Sequence, residues 1–217
     1  MPQQPARLFV IAAPSGAGKT TLVKALTTRN PELRFSISYT TRPKRRNEAD
    51  GVDYLFVDKD RFDELRAAGA LLESAEVFDN FYGTSREQVN EHLENGHHVI
   101  LEIDWQGAQQ VREAMPECVT VFILPPSRDE LERRLRTRGT DSDEVITRRL
   151  RDSLSDMSHW TEFDYAIFND DLDQAVADLT AVLAGQGDDC STQNKAVQSK
   201  VAAILDETGR ADSFSTK

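Results

Sequence analysis

Cysteine is scarce. Cys118 and Cys190 are the two in 217 residues, too few for a disulfide framework or a cysteine metal cluster. One bond between them is conceivable, but two reduced thiols in a cytoplasmic protein are the expected state. No apolar run reaches the roughly 20 residues that a membrane span needs. The N-terminal MPQQPARLFVIAAPSG carries one arginine and an apolar stretch that runs into glycine, so it reads as a strand and not a secretion signal. Positive charge is also short. Lys and Arg total 26 against 37 Asp and Glu, a net of −11, which argues against a nucleic-acid partner because a polyanion would be repelled. No segment repeats internally.

The 39% hydrophobic and 29% charged composition suits one globular domain, with enough chain to bury a core. Of its few basic residues, arginine far outnumbers lysine, and it clusters. Arg42, Arg45 and Arg46 form one group, and eight more arginines lie between Arg128 and Arg151. Two readings stand at this level: small anionic ligands held in a pocket, or solvated helix faces paired with nearby acids.

The pattern of apolar residues sets the elements. LFVIAA, HHVILEID, CVTVFILPP and FDYAIFND read as strands. TTLVKALTTRN, DKDRFDELRAAG, SREQVNEHLENG, WQGAQQVREAM, SRDELERRLRTRG, SDEVITRRLRDSLSDMSHW and DLDQAVADLTAVLAG read as helices. Ser85 is placed as an N-cap, Gly96 as a stop, and Ser127 with Glu130 as a capping box. Apolar strands alternating with helices predict a three-layer α/β/α fold around a parallel sheet. Residues 36–96, broken by Pro43 and Gly51 with a turn at Asp79-Asn80, read as an inserted mixed β/α lobe. The remaining boundaries are core segments 6–35, 97–126 and 157–187, and a helical segment 127–156. The tail, 188–217, is polar and expected to be mobile, with a short amphipathic piece at 197–205 that is a frayed helix or an oligomer contact.

The most informative stretch is APSGAGKT, residues 13–20, between the first strand and the first helix. It matches a phosphate-binding loop, with Ala13 in place of the first glycine. Small residues (Ala13, Pro14, Ser15, Gly16, Ala17, Gly18) let backbone N–H groups turn inward around a nucleotide phosphate. The following helix opens with unpaired, electropositive N–H groups. Lys19 adds a point charge for the β- and γ-phosphates, and Thr20, followed by Thr21, offers a hydroxyl to Mg²⁺. This pattern specifies nucleoside triphosphate binding and leaves the reaction open.

Six further blocks in order, SISYTTRPKRRNEADGVDY, ESAEVFDNFYGTS, LEIDWQGAQQV, FILPPS, LERRLRTRGTDSDE and IFNDDL, make the chain resemble the bacterial guanylate kinases up to about residue 185. The resemblance implies a P-loop NTPase fold with a GMP-binding lobe (36–96) and a helical lid (127–156). It implies transfer of the γ-phosphoryl group of ATP to GMP, and to dGMP, with Mg²⁺, in purine nucleotide metabolism. ATP and GMP are then the partners, with no nucleic acid or membrane, and the chain is a monomer or homodimer.

Residue by residue, the resemblance places Arg42, Arg45, Tyr54 and Tyr82 on the GMP phosphate, and Ser38, Glu73 and Thr84 on the guanine. A forked guanidinium suits a dianionic phosphate. One carboxylate can accept from both guanine N1–H and its amino group, whereas adenine would present an acceptor there. Ser38 and Thr84 would donate to guanine O6. Glu102, where the family often has aspartate, is implied to contact GMP. Asp104 is implied near the metal, through water. Arg134, Arg138 and Arg149 match lid arginines that touch phosphate, and Asn169 matches a position near adenine. Arg133, Arg136, Arg148 and Arg151 have no such match and read as salt-bridge partners of Asp129, Glu130, Glu132 and Asp152. Two other readings compete: a family member that binds without catalysis, and a P-loop kinase for a phosphorylated sugar or another nucleotide. Retention of Gly18-Lys19-Thr20 and the lid arginines counts against the first, and the Ser38, Glu73 and Thr84 set against the second.

Overall fold

The computed structural model describes residues 5–77, 79–137 and 143–206. They fall into two compact units, one drawn from the described residues of 5–10 and 30–119, the other from those of 11–29 and 120–206. The fold is α/β. Its main sheet has the order β2-β7-β1-β8-β9, formed by β1 (Leu8–Ala12), β2 (Arg34–Phe35), β7 (Val99–Glu102), β8 (Val119–Leu124) and β9 (Tyr165–Phe168). β2 pairs with β7, and β8 with β9, in parallel. Every residue of β1 is buried, as expected of a strand covered on both faces.

The first unit also holds a mixed sheet, order β4-β3-β6-β5, from β3 (Ser38–Thr40), β4 (Leu55–Phe56), β5 (Leu71–Val77) and β6 (Asn80–Ser85). Its helices are α2 (Lys59–Ala67), α3 (Arg86–Glu94) and α4 (Trp105–Ala114). One face of this sheet packs on α2, where Phe62, Leu65 and Leu71 gather Tyr39, Val57, Ala70 and Phe81 around them. Edge strand β5 is pinned by α4. Gln110 accepts from the Ser74 N–H at 3.0 Å and donates to the Ser74 carbonyl at 3.2 Å. Ser85 caps α3 as its sequence predicts, accepting from Gln88 N–H, and Gly96 follows that helix with φ +81°.

The second unit contains α1 (Lys19–Arg29), α5 (Arg128–Thr137), α6 (Asp143–Met157), α7 (Leu172–Leu183) and α8 (Lys195–Asp206). α5 packs on α6, and α1 on α7. Asp164 ties β9 to β8: one of its carboxylate oxygens accepts from both the N–H and the hydroxyl of Thr120 at 2.8 Å. Both cysteines are free thiols. Burial and nearby Asp178 and Asp189 push the Cys190 thiol up to about 11, which leaves it unreactive at neutral pH. No helix among the described residues is long and apolar enough to cross a membrane.

The start of the tail departs from expectation. Residues 188–206 are folded: Ser191 bridges to Tyr165, the Thr192 hydroxyl donates to the Phe163 carbonyl at 2.7 Å, and α8 buries Val197, Val201 and Ile204. These three lie at i, i+4 and i+7, one stripe of a helix. The sequence shows the amphipathic piece but not its docking, because three apolar residues among polar ones suffice to seat a short helix. Replacing Ile204 with Ala should cost about 2 kcal/mol or more and lower Tm by roughly 4–8 °C in calorimetry. An unchanged Tm would mean that α8 contributes nothing to the packed unit.

Candidate functional site

In the first unit, the face of the mixed sheet turned away from α2 carries the polar residues. Thr84 lies opposite Ser38 on one neighbour and Glu73 on the other, and cross-strand partners share a face. Tyr82, two residues before Thr84, is on the same side. A register shift between Leu71 and Glu73 makes Leu72 an extra residue. That bulge turns Glu73 onto the face of Thr84. Glu73 is 6% exposed and accepts from the Thr84 hydroxyl at 2.7 Å. Burial is the main cause that raises its carboxyl to about 7; Asp104 adds to the rise, and the Thr84 hydrogen bonds oppose it.

Arg42 lies two residues past the end of β3, and its backbone N–H donates to the Thr40 hydroxyl at 3.1 Å. Its guanidinium lies 5.3 Å from the Tyr54 ring centroid, and Tyr54 meets Tyr82 edge-on at 6.0 Å. The guanidinium donates to Glu48 at 2.7 Å, and the other oxygen of Glu48 accepts from the Arg45 N–H at 2.8 Å. This pair raises Arg42 above its usual range and lowers Glu48 below the ordinary carboxylate. Burial raises Tyr54. Asp104 caps α4, accepting from Gly107 N–H at 2.7 Å, and Glu102 ends β7.

In the second unit, residues 13–18 join β1 to α1, which begins at Lys19 and Thr20. Gly16 and Gly18 have φ of +93° and +88°, a region that side chains disfavour. Asn169 is 6% exposed; its amide donates to the Ala17 carbonyl at 2.7 Å. Arg134 donates to the same carbonyl at 3.2 Å, to the Asn169 carbonyl at 2.9 Å and to Glu130 at 2.7 Å. Arg149 donates to the Ser15 hydroxyl, and buried Ser153 donates to the Ser15 carbonyl, both at 2.9 Å. Arg138 lies outside the described residues.

A family model described as Guanylate kinase matches residues 5–186. The chain belongs to the guanylate kinase family. It is 58% identical over 178 residues to the guanylate kinase of Alkalilimnicola ehrlichii, covering 82% of this chain and 88% of that one. It is 50% identical over 200 residues to that of Pseudomonas fluorescens strain Pf0-1, covering 92% and 95%. Its fold is similar to the crystal structure of guanylate kinase from Anaplasma phagocytophilum, with a TM-score of 0.69, 33% identity and coverage of 87% and 89%.

Within this family fold, several residues have protein partners to which their sequence did not point. The Thr84 hydroxyl, expected at guanine O6, donates to Glu73. Arg134 and Asn169 both hold the Ala17 carbonyl in the loop between β1 and α1. Glu130, read as a surface partner of Arg133, holds both Arg133 and Arg134, and together they drive its carboxyl down to about 2. Arg136 and Arg148 pair with Glu132 and Asp152 as expected. Glu48 and Ser153 were not singled out at all. The signal for Glu48 was an acid three residues after Arg45 in an otherwise basic turn; a serine inside an arginine-rich helix gives none.

The raised Glu73 has a stability consequence. Its carboxyl ionises near 4.5 in the unfolded chain and near 7 in the fold. Between those values the folded state keeps a proton that the unfolded state has released, so this group's contribution falls as pH rises through that window. Glu73→Gln removes the fall. The Tm of Glu73→Gln minus that of the unaltered protein should therefore grow from pH 5 to pH 8. A difference that stays level or shrinks would contradict the burial of this charge.

Proposed function

We propose that the chain is a guanylate kinase that transfers the γ-phosphoryl group of ATP to GMP and dGMP, giving ADP and GDP. The observation that carries the reading is Glu73: a buried carboxyl, with Ser38 and Thr84 on the same face of the sheet. Burying an acid without a matching donor set is costly. The N1–H and amino group of guanine are two donors on one edge, and one carboxylate accepts both. Adenine would set an acceptor against it.

GMP needs no catalytic base. Its phosphate has a second pKa near 6 and is ionised at neutral pH, so a phosphate oxygen attacks directly. The protein's contribution is positioning and charge neutralisation. Arg42 and Arg45, with the hydroxyls of Tyr54 and Tyr82, hold the acceptor phosphate, and Glu102 contacts GMP. Backbone N–H groups of the loop at residues 13–20, Pro14 excepted because it has none, hold the donor with Lys19 and Thr21. Arg138 and Arg149 neutralise the phosphoryl group in transit.

Mg²⁺ fits the donor chemistry at the start of α1, because the Thr20 hydroxyl is a hard oxygen of the kind this ion prefers. Thr20 would hold it directly; the family resemblance adds Asp104 through water. When bound, the ion neutralises charge on the β- and γ-phosphates.

The test is ADP formation with GMP, dGMP, AMP, UMP and a sugar phosphate offered in parallel. GMP and dGMP should exceed the others in kcat/KM by roughly 10⁴; comparable turnover of AMP or the sugar phosphate would overturn the reading. Lys19→Ala should lower kcat by about 100-fold or more without moving Tm, and near-normal kcat would contradict the donor assignment.

A further inference from the structure

The Ala17 carbonyl is the meeting point of two side chains that come from far along the chain. Ala17 is fully buried. Its oxygen accepts from the Asn169 amide at 2.7 Å and from the Arg134 guanidinium at 3.2 Å. Arg134 is itself fixed at two other nitrogens, by the Glu130 carboxylate at 2.7 Å and the Asn169 carbonyl at 2.9 Å. Asn169 is held by its own backbone, whose N–H donates to the Leu124 carbonyl at the end of β8 at 2.8 Å. A side chain added at Gly18 would place its Cβ 2.3 Å from the Asn169 amide nitrogen, so this close approach itself requires glycine.

The orientation of one peptide follows. No peptide bond among the described residues is cis. In a trans, planar peptide the C=O and the N–H point in opposite directions. Holding the Ala17 carbonyl toward Asn169 and Arg134 therefore aims the Gly18 N–H the other way. A phosphate cradle needs this arrangement, N–H groups inward and carbonyls outward, because an inward carbonyl would repel the anion. An outward carbonyl that is buried needs a donor of its own.

We propose that Asn169 is a positioning residue for the ATP phosphates. It acts through the Ala17 carbonyl, and Arg134, oriented by Glu130, forms the second half of the same clamp. This rests on the ATP-donor reading above. It differs from a contact with adenine, which the family resemblance implies for Asn169, because a clamp acts on the phosphates whatever base they carry.

Binding of ATP, of inorganic tripolyphosphate and of adenosine to the full chain separates the two. Asn169→Ala should weaken ATP and tripolyphosphate by the same factor, about tenfold or more, and leave adenosine unchanged. Loss confined to ATP and adenosine would assign Asn169 to the base and overturn the proposal, as would no loss for any ligand. Glu130→Ala, at a half-buried position of α5, covers the case in which Asn169→Ala does not fold. It should weaken ATP and tripolyphosphate together by roughly threefold, and unchanged affinity for both would count against the clamp. Unaltered protein that bound neither ATP nor tripolyphosphate would overturn the ATP-donor reading, and the clamp with it.

Discussion

A carboxylate shielded from water has to be met by hydrogen-bond donors or give up its charge. Glu73 is the point on which the arrangement of the first unit turns. The bulge at Leu72 carries it to the face of Thr84. The ladder from β5 through β6 to β3 then lines up Glu73, Thr84 and Ser38 in one row. α4 grips β5 through Gln110 and Ser74, which keeps that row from drifting. Thr84 satisfies part of the demand, and the carboxyl still sits near 7. A ligand edge with two adjacent donors would complete it.

The second unit solves the opposite problem with the same means. A phosphate loop must present N–H groups, so its carbonyls have to be disposed of elsewhere. The Ala17 carbonyl goes to Asn169 and Arg134, and the Ser15 carbonyl to Ser153. In both units a polar group that serves the ligand is held by a neighbour that never needs to touch it. Glu48 does this for Arg42, binding its guanidinium with one oxygen and the Arg45 N–H with the other.

The parts legible in the sequence were those with local signals. The glycine-rich loop between a strand and a helix, the Ser85 cap and the apolar strands were each written in a few consecutive residues. So were the polar residues of the mixed sheet, because the blocks that carry the family resemblance contain them. What escaped was the support around them. That Thr84 faces Glu73 depends on a bulge, and a bulge shifts a register without leaving a residue signature. The reach of Arg134 to Ala17 spans 117 positions and follows from tertiary packing alone. The amphipathic piece at 197–205 was legible as a frayed helix or an oligomer contact, but that α8 docks through Val197, Val201 and Ile204 follows from tertiary packing.

The account is tested most directly by a crystal structure of the chain with GMP bound. It predicts the purine lying on the face of the mixed sheet turned away from α2, with N1 and the amino nitrogen each about 3 Å from a Glu73 carboxylate oxygen. Density that placed the purine away from Glu73, with another group on its N1 edge, would contradict it.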